Sequence, residues 1–117
     1  MHTKNEFIML AKDFRKCHLV LAALGDENRL HILYQMMCSQ KPRGIRVGEI
    51  VERSSLSRPA VSHHLKILKD AGIINVRREG TKNYYYIDPD MDSFKKLISV
   101  LQRSIDYSSE LPYRGEE

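Results

Sequence analysis

The sequence predicts a mainly helical fold with one small β-hairpin, and three observations support this fold class. Apolar residues recur at intervals of three and four over most of the chain, which is the spacing of a buried helix face. Over residues 73–88 the interval shortens to about two, in runs rich in β-branched and aromatic residues. The length of 117 residues corresponds to a single domain, so a large two-domain enzyme is excluded.

Two helices are predicted in the first third of the chain. The first covers about residues 5–24 and the second about residues 27–39, with Gly25 between them. Asp26 is a suitable N-cap for the second helix because its carboxylate can accept a backbone N–H. Residues 40–44 contain a proline and a glycine, so they are predicted to form a loop. The periodic apolar residues of the two helices are Phe7, Leu10, Ala11, Phe14, Leu21, Leu24, Leu30, Leu33, Met36 and Met37.

A short helix, a tight turn and a longer helix are predicted over about residues 46–71. The short helix covers residues 46–53, and a polar turn separates it from the longer helix. Ser57 can cap the longer helix, and Pro59 falls in its first turn, where a missing N–H costs little. Apolar residues three and four apart give the longer helix one inward face, formed by Val61, Leu65 and Leu68.

A hairpin and a last helix complete the predicted order of elements. Gly72 is a typical stop for the preceding helix. The two strands cover residues 73–79 and 82–88, and the last helix starts at Asp92. The tail after about Ser108 is predicted to fray. The periodic apolar residues of the last helix are Phe94, Leu97, Ile98, Leu101 and Ile105.

Charge is distributed unevenly along the chain, whose formal net charge is +4. Residues 46–87 carry eight basic and four acidic side chains, whereas residues 88–117 carry four basic and seven acidic ones. A basic segment followed by an acidic tail favours a polyanionic partner that is bound by one face of the protein. The alternative is an ordinary solvated surface of mixed charge.

The location of the protein is inferred from what its sequence lacks. No run approaches the roughly 18 apolar residues of a membrane span, and the first residues do not form the apolar run of a secretory signal. Two cysteines, Cys17 and Cys38, are too few for a disulfide framework. We therefore expect a cytoplasmic protein that does not associate with membranes.

The short helix, the turn and the longer basic helix form a helix-turn-helix pattern, and the hairpin that follows completes a winged helix. The second helix of such a unit enters the major groove of DNA, where short donors and long forked side chains reach base edges. The hairpin, or wing, lies along the phosphate backbone or in the minor groove. The predicted DNA contacts are Arg58, Pro59, Ser62, His63 and Lys66 on the helix, and Arg77, Arg78, Thr81 and Lys82 on the hairpin.

Some neighbouring residues are interpreted as structural. His64 lies closer to the apolar stripe of its helix than His63 does, so we expect it to pack. The three tyrosines at residues 84–86 alternate across a strand, so one or two of them should fill the core. Arg29 could pair with acidic neighbours, and no function is assigned to it.

Three segments of the chain can be compared with known protein motifs. They are LGDENRLHIL at residues 24–33, SRPAVSHHLKILKDAGI at residues 57–73 and RREGTKNYYY at residues 77–86. In this order they resemble the start of a helix, the recognition helix and the wing of the ArsR/SmtB family of bacterial winged-helix repressors. The resemblance implies a homodimer, built mainly from the first and last helices, that binds a palindromic operator. It also implies repression until an inducer, often a metal ion, binds.

The residues themselves also favour dimerisation. The helices at about residues 5–24 and 90–108 carry more apolar surface than one small domain needs. A dimer gains by binding two half-sites that lie one DNA turn apart. The alternative is that these apolar stripes close the core of the monomer. The candidate dimerisation residues are Phe7, Leu10, Phe14, Phe94, Leu97, Leu101 and Ile105.

Both metal sites that are common in the family are absent from this sequence. One uses a Cys-Val-Cys pair at the position that Arg46, Val47 and Gly48 occupy here, and none of these supplies a soft ligand. The other uses Asp and His from the last helix, but residues 88–110 contain no histidine. We therefore expect no metal at these sites and no other cofactor.

Cys17 and Cys38 leave three interpretations open. Both can be small buried hydrophobic residues, which is common for free cysteine. They can instead form a thiol redox switch, or hold a metal ion together across a dimer. The identity of the effector does not follow from the sequence.

The sequence thus predicts a sequence-specific DNA-binding transcriptional regulator, in the form of a repressor that an effector releases. Two alternatives are a winged helix that serves as a protein-interaction module and an architectural DNA-binding protein that needs no effector. An enzyme is not expected, because the sequence offers no nucleophile–base set, Gly-rich phosphate loop or metal triad.

Overall fold

The computed structural model describes residues 1–111, which form six helices and one two-stranded antiparallel sheet. The order of elements matches the predicted one, with the first predicted helix divided in two. The elements are α1 (Lys4–Lys16), α2 (His18–Leu24), α3 (Glu27–Ser39), α4 (Val47–Glu52), α5 (Arg58–Asp70), β1 (Ile74–Glu79), β2 (Lys82–Ile87) and α6 (Asp92–Ser108). Of the tail that was predicted to fray, residues 112–117 lie outside the described residues. None of the helices within residues 1–111 is long and apolar enough to cross a bilayer.

The single helix predicted for residues 5–24 is wrong, because the chain turns at Cys17. The Cys17 N–H donates to the carbonyl of Phe14 at 3.1 Å, which closes α1 with a tight turn. The turn rotates the second segment, so that Val20 and Ala23 are buried in α2. Leu21, which the continuous periodicity placed on the apolar face, is exposed.

The inward face of α3 also differs from the predicted one. Leu33 and Met36 are buried as expected, but Leu30 and Met37 are about half exposed. Ile32 is fully buried in their place. The cause is that α3 packs against α2, α5 and β2 together, so its buried arc is wide and is set by three neighbours.

The inward face predicted for α5 is confirmed, because Val61, Leu65 and Leu68 are all fully buried in the core. Its largest fully buried side chains come from α3, α4, α5 and the start of the hairpin. Burying each of these aliphatic side chains stabilises the fold by about 1.5–3 kcal/mol. They are Ile32, Ile50, Val61, Leu65, Leu68, Ile73 and Ile74.

The hairpin is joined to the loop before α4 by an isolated bridge. The Ile45 N–H donates to the Tyr85 carbonyl and the Tyr85 N–H donates to the Ile45 carbonyl, both at 2.8 Å. The approach is close: a Cβ on Gly44 would lie 2.4 Å from the Tyr85 carbonyl oxygen. Gly44 also has φ +94°, a conformation that residues with a Cβ rarely adopt. This bridge fixes the position of the hairpin relative to α4.

Besides burying Leu97 and Val100 in the core, α6 makes polar contacts with two other parts of the protein. Ser93 at its start donates a hydrogen bond to the carbonyl of Gly72, which directly follows α5, at 3.3 Å. Arg103 further along forms an ion pair with Asp13 of α1, with Nη1 and Oδ2 3.0 Å apart. α6 therefore touches both the end of the helix-turn-helix unit and the first helix.

Candidate nucleic-acid interface

The turn between α4 and α5 is held by local hydrogen bonds that set where α5 begins. The Ser57 hydroxyl accepts the Ala60 N–H at 3.3 Å, as expected for an N-cap, and Pro59 lies in the first turn. The side chain of Gln35, which is buried, donates to the Arg53 carbonyl at 3.3 Å. The role of Gln35 is not predictable from its local sequence, because its partner is a backbone atom 18 residues away.

The outer face of α5 brings the predicted helix contacts together. At about 100° per residue, Arg58, Ser62, His63 and Lys66 fall within one arc of about 140°, and all four are exposed. Arg58 lies at the edge of this arc, and its Nη1 would be 3.7 Å from a Cβ built on Gly48 of α4. Within residues 1–111 no hydrogen bond to Arg58's side chain is made, so its guanidinium is available to a ligand.

Lys66 is engaged within its own helix. Its ammonium lies 2.7 Å from the Asp70 carboxylate, one turn further along, and both side chains are more than half exposed. Such exposed pairs contribute little stability, commonly about 0.3–0.5 kcal/mol. Lys66 can therefore leave Asp70 for a DNA phosphate at a small cost in free energy.

The hairpin carries its basic residues around a two-residue turn. Gly80 has φ +63°, as required at the first position of a type II′ turn, and Thr81 follows it. Lys82 is paired with Glu79 in the register, and Arg78 is paired with Asn83. The side chains of Arg78 and Lys82 are exposed at this end of the hairpin.

Arg77 differs from its neighbour Arg78 because its guanidinium is held by the protein. Its Nε donates to Glu79 at 3.1 Å and its Nη2 to the carbonyl of Arg43 at 2.8 Å. The same guanidinium lies over the ring of Tyr86, 5.9 Å from the centroid. Among residues 1–111, the side chain of Arg78 bonds only to the nearby Gly80 carbonyl, at 2.9 Å.

Two basic residues outside the predicted set lie beside the hairpin. Arg46 sits over the ring of Tyr84 at 5.9 Å, and Arg43 forms an ion pair with Glu79 at 3.2 Å. Both belong to the segment before α4, which the Ile45 bridge brings to the hairpin. Nothing in their local sequence pattern indicates this position, because the bridge joins residues 40 apart in the chain.

Lys41 and Glu49 form an ion pair beside this segment. The contact of the Lys41 ammonium lowers the pKa of the Glu49 carboxyl, and a hydrogen bond from the Arg46 N–H lowers it further. Glu49 therefore stays ionised at neutral pH and connects the loop before α4 to the first turn of that helix.

His64 packs as expected, and its partner is Arg29. The Nη1 of Arg29 lies 3.1 Å from Nδ1 of His64, and the side chain of His64 is partly buried. Tyr85 likewise packs against the core, whereas Tyr84 and Tyr86 are half-buried under arginines. His64 is thus part of the support behind α5, while His63 faces outward.

The candidate dimerisation residues divide into two groups. Leu10 and Leu97 are already buried within a single chain, and Phe94 packs against the core from a partly buried position. These three leave little surface for a partner. The others, Phe7, Phe14, Leu101 and Ile105, range from partly buried to exposed.

The exposed members of this set have apolar neighbours outside the predicted set. Ile105 and Ile98 on α6 are both 66% exposed, and Ile8 and Met9 on α1 are also exposed. An apolar cavity of about 420 Å³ lies between the two helices, lined by Phe7 and Phe14 on one side and by Tyr107 on the other. Exposed apolar residues gathered on one surface commonly mark an interaction site.

The two cysteines are in different environments. Cys17 is buried at the turn between α1 and α2, whereas Cys38 is exposed near the end of α3. Within the described part of the chain, no group of three or more His, Cys, Asp or Glu side chains could hold a metal ion. The thiol-sensing interpretation and the absence of a cofactor stay predictions.

Comparisons with known proteins agree with this architecture. The family described as "Bacterial regulatory protein, arsR family" matches residues 26–76. An uncharacterized HTH-type transcriptional regulator of Methanocaldococcus jannaschii is 39% identical, over 75% of this chain and 97% of its own length. The transcriptional repressor SdpR of Bacillus subtilis is 32% identical, over 83% of this chain and 93% of its own.

Solved structures of regulators share this fold. HlyU from Vibrio cholerae superimposes with a TM-score of 0.56 at 29% identity, covering 87% of this chain and 96% of its own. A homodimeric winged helix-turn-helix domain from Mycobacterium bovis shares the fold, with a TM-score of 0.52 at 22% identity and 94% coverage of both chains. These relatives are regulators and not enzymes, in agreement with the prediction. The chain therefore belongs to the ArsR family of winged helix-turn-helix transcriptional regulators.

Proposed function

We propose that this regulator represses transcription as a homodimer that places two copies of α5 in successive major grooves of a palindromic operator. The observation that carries the proposal is the exposed arc of α5, where Arg58, Ser62, His63 and Lys66 stand together beside a basic hairpin. A dimer with two-fold symmetry matches a palindrome of half-sites one helical turn apart. A regulator of this kind acts on the chromosome, so we place it in the cytoplasm.

The residues of the interface divide into those that read bases and those that bind phosphates. Arg58, Ser62 and His63 lie in the first half of α5, the half that approaches base edges in this motif. Lys66, Arg78 and Lys82 bind phosphates in this proposal. Pro59 and Thr81 lie close to the DNA backbone. The guanidinium of Arg77 donates to Glu79 and to the Arg43 carbonyl, so its main role is to stabilise the hairpin.

The test compares the reduced protein on DNA from its own promoter region with random DNA, at two salt concentrations. Arg58→Ala should cost about 1–3 kcal/mol on the promoter and relax the preference at one base pair. Lys82→Ala should weaken binding to every sequence alike and reduce the salt slope by about one. Lys95→Ala, on exposed surface of α6, is the control that should change neither.

Three outcomes would contradict this assignment. Equal losses on both DNAs for Arg58→Ala and Lys82→Ala would remove the division between base and phosphate contacts. Tight binding to random DNA without a promoter preference would favour the architectural alternative. Absence of DNA binding would favour the protein-interaction module.

The proposed dimer uses the exposed apolar residues of α1 and α6. Ile105 is 66% exposed in the single chain, so a charge there should not disturb the monomer. Ile105→Asp should give a folded monomer in sedimentation velocity, with operator affinity reduced to that of one half-site. Lys95→Asp on the same helix should stay dimeric. A dimeric Ile105→Asp variant would exclude this face as the interface.

We further propose that an effector acts by changing the spacing of the two recognition helices, so that both half-sites no longer fit together. No resident metal or cofactor is part of the proposal. An effector that lowered operator affinity while each half-site bound as before would support it. Release through monomerisation or unfolding would contradict it.

A further inference from the structure

A basic cavity of about 400 Å³ opens between α1 and α6, apart from every predicted DNA contact. Its charged lining consists of Lys16 and Asp13 from α1 and Lys96 and Arg103 from α6. A second cavity of about 180 Å³ shares Lys16, Cys17 and Lys96 with it. The two together follow the junction of α1, α2 and α6.

Positive charge exceeds negative charge in this cavity. Among the described residues that line the cavity, Asp13 is the one carboxylate, and it lies 3.0 Å from Arg103 and 3.8 Å from Lys16. Lys96 forms no ion pair with any of residues 1–111. Three cations around one carboxylate leave a net charge of about +2, which a bound anion would offset.

The floor of the cavity is apolar. Val100 and Cys17 line the larger part and are buried, as is Val20 in the smaller part. A site with cations at its mouth and an apolar floor fits a ligand with one charged end and one apolar end. Inorganic phosphate would leave the floor unused, and a cation would be repelled.

We infer that this cavity binds a small organic anion, a carboxylate or an equivalent acid with a short apolar body, whose charged end lies between Lys16 and Lys96. The apolar body would lie against Val100 and Cys17. The hydroxyl of Ser99, which also lines the cavity, is placed to donate to the anion.

The position of the cavity connects it to both functional parts of the protein. Its smaller part includes Ala71, the C-cap of α5, and Ser93, whose hydroxyl bonds to the Gly72 carbonyl. A ligand there would touch the contact that joins α5 to α6. The regulatory consequence, a change in operator affinity, rests on the function proposed above, whereas binding itself does not.

On α6 the cavity does not coincide with the proposed dimer face. Lys96 and Ile98 lie about 160° apart around this helix, as do Arg103 and Leu101, because successive residues turn by about 100°. The exposed apolar residues of α6 and the cavity therefore face different sides of this helix.

The test uses hexanoate as the probe, titrated into the purified full-length protein without DNA and followed by calorimetry and by backbone amide shifts. 1-Hexanol has a similar body without the charge, and inorganic phosphate has charge without the body. We expect hexanoate to bind at millimolar or tighter concentrations and to shift amides at residues 13–17 and 96–103. Both control compounds should bind at least about tenfold more weakly.

The matched variants are Lys96→Glu and Lys95→Glu, which change the same charge on adjacent exposed positions of α6. Lys96→Glu should weaken hexanoate binding by about tenfold or more, and Lys95→Glu should leave it within about twofold. Equal effects of the two variants, equal binding of hexanol, or no hexanoate binding at about 10 mM would each overturn the inference.

A second arm uses promoter DNA and separates this inference from the proposed function. Hexanoate should change the operator affinity of the wild type and leave that of Lys96→Glu unchanged. Hexanoate binding by a protein that does not bind its promoter would refute the function and preserve the site. Normal operator binding without any hexanoate binding would refute the site alone.

Discussion

Arg29 donates a hydrogen bond from Nη1 to Nδ1 of His64 at 3.1 Å and thereby connects α3 to the back of the recognition helix. The same guanidinium donates from Nε to the Ala23 carbonyl at 2.9 Å and from Nη2 to the Ala22 carbonyl at 3.0 Å. The last carbonyls of a helix have no partner within it, so Arg29 satisfies the end of α2. One side chain thus joins three helices.

Arg29→Ala should destabilise the protein because it leaves the Ala23 carbonyl and His64 without this partner and removes one donor from the Ala22 carbonyl, which keeps the Gly25 N–H. We expect a loss of about 1–3 kcal/mol in urea unfolding, and about 0.5–1.5 kcal/mol for His64→Ala, which removes one bond. Arg29→Lys should recover only part of the loss, because an ammonium lacks the fork that spans these acceptors. A double-mutant cycle should give a coupling of at least about 0.5 kcal/mol, and additivity would contradict a direct contact.

Gly44→Ala should destabilise the protein more than Gly80→Ala does. Both glycines have positive φ, so each substitution carries a backbone cost of about 1–2 kcal/mol. Only at Gly44 does the new Cβ meet backbone, 2.4 Å from the Tyr85 carbonyl oxygen, whereas nothing lies within 4 Å at Gly80. Urea unfolding of the two variants measures the difference in unfolding free energy. Equal losses would show that the Ile45–Tyr85 bridge shifts to accommodate the new Cβ without destabilising the protein.

Arg77→Ala and Arg78→Ala should separate stability from DNA affinity. Arg77 is bonded to Glu79 and to the Arg43 carbonyl, so its removal should cost about 1 kcal/mol of unfolding free energy. Arg78→Ala should leave stability within about 0.5 kcal/mol. It should also reduce affinity for every DNA sequence and lower the salt slope by about one. A loss of stability in Arg78→Ala, with a loss of DNA affinity alone in Arg77→Ala, would contradict the roles assigned to the two arginines.

Protonation of Asp26 at low pH should weaken the N-cap of α3 and so lower the free energy of unfolding. The Arg29 N–H donates to its carboxylate and lowers the pKa of that carboxyl below its ordinary value. Because the folded pKa is below the unfolded one, the stabilisation is complete above the unfolded pKa and is lost as the pH falls through the folded pKa. Carboxyl chemical shifts measured over a pH titration would give the folded pKa directly.

Asp26→Asn keeps an N-cap without the charge, so it should flatten this acid limb of the stability curve. Asp26→Ala loses the cap at every pH and should lower stability at neutral pH as well. An acid limb unchanged in Asp26→Asn would assign the dependence to other carboxyl groups.

Features that depend on nearby residues could be predicted from the sequence. The inward stripe of α5 and the stop at Gly72 follow from helix periodicity and from glycine's tolerance of φ +76°. The paired strands follow from alternation and from a glycine at the turn. The exposed basic arc of α5 is the complement of its apolar stripe, so it was predictable for the same reason.

Features that depend on tertiary neighbours could not be predicted. The residues around Cys17 include neither glycine nor proline, and the turn there exists because Val20 and Ala23 pack into a core that other helices form. Arg29 lies in a segment with an acidic N-cap, which suggested a local ion pair. Its actual partners become visible only when α2 and α5 are in place.

The bridge between Ile45 and Tyr85 has a consequence for anyone who transplants the wing between related scaffolds. Residues 74–87 are not an independent structural unit, because Tyr85 is hydrogen-bonded to Ile45, which precedes α4. A graft has to carry Ile45 with it, and the recipient has to offer glycine at the position of Gly44. Wings and their preceding loops should therefore be exchanged as one module.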